Sequence, residues 1–458
     1  MKYISTRNNS KEFSFEEVFI KGLADDGGLF IPKSLKKYSE EELKTLSTLN
    51  YQDLAKKIIF PFIGDFMTAN ELSDIVDKSY SVFRKDNVVD LIKLGDAKIL
   101  ELFHGPTLAF KDIAMQLLGN FYEHYLKKNN KNINVVVATS GDTGAAAIDA
   151  IKGKKNINIF VLHPHEKVSL VQRKLMSTVK EKNVFNIAIE GNFDDCQNLV
   201  KSMFADKEFS NSINMSGVNS INWARIIAQA VYFFYTYFQI QDKRSMNFSV
   251  PTGNFGDVYA GYLSKKMGLP INKFIVATNK NDILHRAISN GKYEAETVLE
   301  TNSPSMDIQI ASNFERLIYD LNDFDDHETK KIMHGIKEEG KYIISKDKMK
   351  KINEDFLSAS MSEKEILDTI KEVQVKYDII LDPHSAIGFG ALKKVNIEGN
   401  NIVLATAHPC KFPEAIDKSI GIKPDLPDEL KYVMGEKENY DIISNNLSKT
   451  QQYIKEKI

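Results

Sequence analysis

The run Ile133-Asn134-Val135-Val136-Val137-Ala138-Thr139-Ser140-Gly141-Asp142-Thr143-Gly144-Ala145-Ala146-Ala147-Ile148 decides the fold class. Residues 133–138 are a near-continuous apolar run, as expected of a strand buried on both faces. A small polar loop follows, and residues 144–151 read as an alanine-rich helix. Outward from there the alternation repeats. Residues 157–162 predict a strand, 168–177 a helix, 184–189 a strand and 194–204 a helix; a long helix over 221–238 closes the block. A second series starts with a strand over 247–250 and a helix over 259–266, and continues with strands over 274–277 and 402–405. This order implies parallel sheets covered by helices on both faces. Ligands in such sheets bind at the carboxyl ends of the strands.

The rest of the chain fits round this body. Residues up to about 90 read as mainly helical, with charged helices over 39–46 and 70–83 and a turn at Asp25-Asp26-Gly27-Gly28. Residues 301–355 are polar and mostly helical, an insertion on the second series. The expected division is an N-terminal module, 1–95, a first α/β region, 96–240, and a second α/β domain, 241–458. The chain has 458 residues, is 43% hydrophobic and 27% charged, and carries a net charge of −2. That balance gives no general pull toward nucleic acid or membrane. Two cysteines, Cys196 and Cys410, cannot build a disulfide framework, and a reducing cytoplasm fits. Residues 1–7 have no signal-peptide core. The most apolar helical stretch, 226–240, is too short and too polar to span a bilayer and reads as a buried core helix.

Chemistry concentrates in five segments. Lys111 follows Leu108-Ala109-Phe110 and opens a helix whose apolar positions are Phe110, Ala114, Leu117, Leu118 and Phe121. Apolar neighbours and the positive end of a helix dipole both favour the neutral amine. Such an amine is the nucleophile for a Schiff base with a carbonyl compound; the alternative is a lysine that snorkels to the surface. Thr139 to Gly144 offers hydroxyls, two glycines and backbone N–H groups at a helix start, which suits a carboxylate or phosphate. An ordinary turn capped by Ser140 or Asp142 is the alternative. Pro251-Thr252-Gly253-Asn254-Phe255-Gly256-Asp257 has the same placement, with neither the GxGxxG of a dinucleotide site nor the lysine of a P-loop. A single phosphate held by backbone N–H groups fits it better, and a plain Gly-rich turn is the alternative.

Asn219-Ser220-Ile221-Asn222-Trp223-Ala224-Arg225 opens the long helix. Arg225 there suits a phosphate or carboxylate. On the residues alone, capping by Asn219 or Ser220 and a surface salt bridge for Arg225 is preferred. Thr406, at the end of the strand over 402–405, has a hydroxyl able to face a ring nitrogen. His408 before Pro409 reads as structural. Asp382-Pro383-His384-Ser385 reads as a helix N-cap, because no GxSxG elbow is present. His163-Pro164-His165 lacks zinc-site spacing, and no metal is expected.

In order, HGPTLAFKD at 104–112, TSGDTG at 139–144, NSINWARI at 219–226, GNFGD at 253–257 and TAHPCKFP at 406–413 resemble the motifs of the threonine synthase family. These are pyridoxal-phosphate enzymes related to threonine dehydratase and the tryptophan synthase β-subunit. Ser5-Thr6-Arg7 and residues 22–30 look like the branch with an N-terminal module, so the resemblance covers almost the whole chain. It implies two doubly wound open-sheet α/β domains with the cofactor in the cleft between them, plus the mainly helical module.

The resemblance also implies roles for individual residues. Lys111 would be the catalytic residue and would hold pyridoxal 5'-phosphate as a Schiff base. Gly253, Asn254, Phe255, Gly256 and Asp257 would wrap its phosphate, Thr406 would face its pyridine nitrogen, and Asp142 would flank its ring oxygen. Ser140, Gly141 and Thr143 would bind the substrate's carboxylate, and Asn219 and Arg225 its phosphate. The related dehydratases carry Asn where this chain has Asp142, and an aspartate would repel a phenolate oxygen. The implied reaction turns O-phospho-L-homoserine and water into L-threonine and phosphate. The alternative is a phospho-lyase on the same scaffold that releases a keto acid, ammonia and phosphate. The expected partner is that small-molecule substrate, with no nucleic acid or membrane, for a cytoplasmic monomer or homodimer.

Overall fold

A computed structural model describes residues 1–241 and 245–458. At the N-terminus, β1 (Tyr3–Ser5), β2 (Asn8–Phe13) and β3 (Phe30–Pro32) form an antiparallel sheet with β1 in the middle. Around it lie α1 (Phe15–Lys21), α2 (Glu40–Leu46), α3 (Tyr51–Ile63) and α4 (Ala69–Tyr80). Three of these helices start at capping boxes, Ser14 with Glu17, Ser39 with Glu42 and Thr68 with Glu71. In each, hydroxyl and carboxylate satisfy two backbone N–H groups that a helix start leaves without partners. The helices agree with the sequence reading. The small sheet was not expected, because two of its strands have only three residues, too few to show alternation.

The body then runs β4 (Asp90–Leu94), β5 (Ala97–Glu101), α5 (Lys111–Asn129), β6 (Ile133–Ala138), α6 (Asp142–Ile151), β7 (Ile157–Pro164), α7 (Leu170–Ser177) and β8 (Val184–Glu190). After α8 (Phe193–Ala205) and the short α9 (Lys207–Ser212) come β9 (Met215–Ser216), α10 (Trp223–Gln239), β10 (Met246–Pro251), α11 (Gly256–Lys266) and β11 (Ile271–Thr278). Next is an antiparallel pair, β12 (Lys292–Glu294) with β13 (Lys341–Ile343), and then β14 (Phe356–Ser360), β15 (Asn400–Ala405) and β16 (Asp441–Ser444).

The smaller sheet has the order β16-β8-β7-β6-β9 and is parallel throughout. The larger has the order β14-β11-β10-β15-β5-β4, parallel except where β4 turns back on β5. Strand pairing crosses the linear boundaries expected from sequence. β5 pairs with β15, and β16 pairs with β8. A parallel neighbour needs a crossover, so closeness in sequence does not say which strands become neighbours.

α10 is buried on every side from Trp223 through Thr236. The Trp223 ring lies 6.0 Å from Tyr3, 6.1 Å from Phe62 and 6.4 Å from Tyr259. The N-terminal module therefore packs directly on the helix that carries Arg225. The 301–355 segment is helical over Phe314–Leu321, Asp326–Glu339 and Lys346–Asp355, as expected. It is also tied to the module. Glu315 accepts from Thr6 Oγ1 at 2.6 Å and pairs with Arg7 at 2.7 Å. Arg316 is fully buried; it donates to the Phe30 carbonyl at 3.0 Å and the Ile221 carbonyl at 2.7 Å, and sits 5.3 Å from the Trp223 ring. Arg316→Met would leave both carbonyls without a charged donor. It is expected to lower stability by about 3 kcal/mol or more, read as a lower urea midpoint; an unchanged midpoint would rule out this role.

Candidate active site

The loop before α5 is stitched to the end of β15. Phe110 N donates to the Thr406 carbonyl at 2.9 Å, His408 N donates to the Leu108 carbonyl at 3.0 Å, and Ala109 bridges Ala407. Asp112 closes the turn, accepting from Thr107 N at 2.8 Å and Thr107 Oγ1 at 2.6 Å. Lys111, the first residue of α5, is thereby held at the positive end of the helix. Its Nζ lies 3.3 Å from Asp142 Oδ2 and 3.3 Å from Ser305 Oγ, with the Phe110 ring 5.3 Å away. Asp142 follows β6 and Thr406 follows β15, so the amine stands between the carboxyl ends of the two sheets. Lys111 is buried rather than snorkelling.

A second lysine shares the same carboxylate. Lys411 Nζ lies 2.6 Å from Asp142 Oδ1 and donates to the Thr107 carbonyl at 2.7 Å, and Gln172 Nε2 donates to Asp142 Oδ1 at 2.8 Å. Burial alone would raise the Asp142 carboxyl. Lys411, Lys111 and the Gln172 hydrogen bond outweigh it and hold the group well below the usual carboxylate range. Lys111 is pushed down from the ordinary lysine range, first by burial and then by Lys411 and Arg225, against the pull of Asp142.

In the 139–144 loop neither Ser140 nor Asp142 is the cap. Gly141 occupies the N-cap without a side-chain hydrogen bond. Thr139 Oγ1 instead accepts from Gly141 N at 2.9 Å and Gly144 N at 2.8 Å, because the hydroxyl at the strand end reaches both. Gly141 has φ +136, and a Cβ there would lie 2.6 Å from Gln172, so the position requires glycine. Ser140 and Thr143 are half-buried beside it.

In the 253–257 loop, Phe255 has φ +62 and α11 starts at Gly256. The N–H groups of Gly253, Asn254, Phe255 and Gly256 donate to no protein acceptor among the described residues. A Cβ on Gly253 would meet the Ser305 carbonyl at 2.9 Å. Asp257 receives a short hydrogen bond from Tyr232, and burial pushes its carboxyl up to about 7.

Arg225 departs from the preferred sequence reading. It is buried, without a surface salt bridge, because its helix is enclosed on every side at this end. It donates to the Val218 carbonyl at 3.1 Å, its Nε has no partner among the described residues, and burial lowers it to about 10. The cap of α10 is Asn222, not Asn219 or Ser220, and Asn219 is exposed. Thr406 is buried, and its N donates to Ser385 Oγ at 3.2 Å. Asp382 caps the helix Pro383–Val395, as read from sequence. His408 caps the short turn after it, and burial lowers it to about 4.

The segment Ser303 to Asp307 resembles the family's and is expected to close over the site, which Ser305 does; the sequence reading gives Lys411, Gln172 and Asp112 no role, although Lys411 stands between Cys410 and Phe412 and so shows the apolar flanking that singles out Lys111. The residues present fit pyridoxal phosphate. A buried amine is ready for an aldehyde, four unpaired N–H groups at a helix start are ready for a phosphate, and the unpartnered Arg225 Nε leaves a buried cation in need of an anion.

Comparison with known proteins points the same way. Residues 2–80 match the family described as "Threonine synthase N terminus", 99–406 match "Pyridoxal-phosphate dependent enzyme" and 385–454 match "Threonine synthase, C-terminal". A threonine synthase of Pseudomonas aeruginosa is 44% identical over 459 residues, covering 99% of this chain and 98% of that protein. That of Saccharomyces cerevisiae is 43% identical over 474 residues, covering 94% and 92%. The crystal structure of a PLP-bound threonine synthase from Brucella melitensis aligns with a TM-score of 0.97 at 43% identity, covering 100% of this chain and 99% of that one.

Asp112 gives the site a pH signature. Burial, opposed by the Thr107 hydrogen bonds, pushes its carboxyl up to about 6 from 3.8. The folded state then favours the protonated form. Its contribution is complete below about pH 4 and is lost as pH rises through about 6. Relative to Asp112→Asn, the wild type is expected to lose on the order of 3 kcal/mol over that window. Denaturation curves that stay parallel across it would contradict the shift.

Proposed function

The chain belongs to the threonine synthase family of pyridoxal-phosphate-dependent enzymes, and on that basis we propose that it converts O-phospho-L-homoserine and water to L-threonine and inorganic phosphate, as a carbon–oxygen lyase. The observation that carries this reading is the Lys111 amine, buried and 3.3 Å from both Asp142 and Ser305 in a chain that matches threonine synthases from end to end. Lys111 would hold pyridoxal phosphate, with Gly253, Asn254, Phe255, Gly256 and Asp257 round its phosphate, Thr406 toward its ring nitrogen and Asp142 beside its ring oxygen. When bound, the cofactor supplies an aldehyde for the substrate amine and a conjugated ring that accepts electrons from the neighbouring carbon.

The protein's own groups do the rest. The start of α6, with Ser140, Gly141 and Thr143, orients the substrate carboxylate by N–H and hydroxyl donors. Lys111 Nζ, as the uncharged amine, would take the proton from the α-carbon and later return one there. Arg225 with Asn219 binds the substrate phosphate and stabilises the charge that gathers on it as it leaves. Exclusion of water by Phe110 and the buried walls strengthens each of these interactions. The 1–95 module, the lysine-bearing 96–240 region and the 241–458 domain with the phosphate loop are the proposed working parts. A cytoplasmic monomer or homodimer fits, and the buried free thiols Cys196 and Cys410 support a reducing compartment.

Incubation with O-phosphohomoserine is expected to yield threonine and phosphate in equal amounts; phosphate accompanied by 2-oxobutyrate and ammonia in place of threonine would favour a phospho-lyase. Lys111→Ala should reduce turnover by about 10³-fold or more, and near-normal activity would reject its assignment. Arg225→Ala should weaken use of the phosphorylated substrate roughly 10- to 100-fold in kcat/KM. Unaltered constants would make that arginine purely structural.

A further inference from the structure

Asp142 is one carboxylate facing two lysines. Its Oδ1 takes Lys411 at 2.6 Å and Gln172 at 2.8 Å, and its Oδ2 faces Lys111 at 3.3 Å. Lys411 exposes none of its surface, and its second hydrogen bond goes to the Thr107 carbonyl. Its own carbonyl accepts from Ser169 Oγ at 2.9 Å, so both ends of the residue are fixed.

A lone carboxylate 3.3 Å from Lys111 would favour the ammonium strongly in a buried setting. A second cation on that carboxylate reverses the balance. Adding a proton to Lys111 would then make two buried cations share one anion. The charged groups facing Lys111 are Asp142 from α6, Lys411 from the turn Pro409–Lys411 and Arg225 from α10. Two of the three oppose the proton. Asp112 faces Lys411 from α5, and Cys410 lies beside Lys411 in the same turn.

We propose that Lys411 is a positioning residue that engages Asp142 as its counter-ion and so leaves Lys111 as the free amine. Asp142 is then the shared anion of a buried pair of lysines rather than the proton-holding partner of the reactive one. This rests on reading Lys111 as the reactive amine, but it can be tested without cofactor, substrate or turnover.

The full-length chain, freed of cofactor, is labelled with trace acetic anhydride from pH 6 to 11, and acetylation of Lys111 is followed by peptide mass spectrometry. In the wild type the Lys111 midpoint should lie below that of the exposed lysines. Lys411→Met should raise it by roughly one to three pH units, and Lys411→Arg, which keeps the charge, should hold it near the wild-type value. The double variant Asp142→Asn with Lys411→Met should bring it back down, because both opposing charges are gone. A midpoint unmoved by Lys411→Met, or a double variant no different from it, overturns the proposal. If Lys411→Met does not fold, Lys411→Gln decides: the midpoint must rise in the same way, and an unchanged one overturns the proposal. Failure to form threonine with these midpoints intact would count against the proposed reaction and not against Lys411.

Discussion

Asp142 opens α6 after a strand of the smaller sheet, and Lys411 follows a strand of the larger one. Their 2.6 Å ion pair, buried at both ends, clasps the two sheets at their carboxyl edges. Burying such charges is costly unless each is paired and hydrogen-bonded, and here the remaining positions are filled by Gln172, the Thr107 carbonyl and Lys111. The loop before α5 is trapped between these partners and hydrogen-bonded to Thr406 and His408. The position of Lys111 thus depends on a charge cluster contributed by both halves.

The strand–helix alternation was readable because parallel strands are continuous apolar runs and their crossovers are amphipathic helices. Pairing order was not, since β16 joins β8 and β5 joins β15 across long stretches of chain. In the site, Lys111 announced itself through its apolar neighbours. Lys411 carries the same signal in Cys410-Lys411-Phe412, but its motif was read for Thr406 and His408. The sequence marks 226–240 as a buried core helix, yet Arg225, one residue before that stretch, reads as a surface cation; the enclosure begins at Trp223 and takes it in. Hydroxyls next to a turn were ambiguous as caps, and Thr139 prevailed by reach, not by composition.

The N-terminal module does more than cover one side of the body. Arg316 ties the Phe30 carbonyl of the module to the Ile221 carbonyl just before α10, and Tyr3 and Phe62 pack on Trp223. Arg225 stands two residues beyond that tryptophan. The start of the helix that carries it therefore rests on a wall built from residues near the start of the chain and from the 301–355 segment. This gives the polar insertion a structural part in the site even where it does not line it, while its Ser305 touches the Lys111 amine directly.

β16 pairs with β8, at the outer edge of the smaller sheet. During translation β8 leaves the ribosome long before β16 has been made. Until then the nascent chain carries a bare row of N–H and C=O groups on an otherwise finished parallel sheet, the kind of edge that recruits foreign strands. Ribosome-bound chains cut short of residue 441 should therefore be the form of this protein most in need of chaperones.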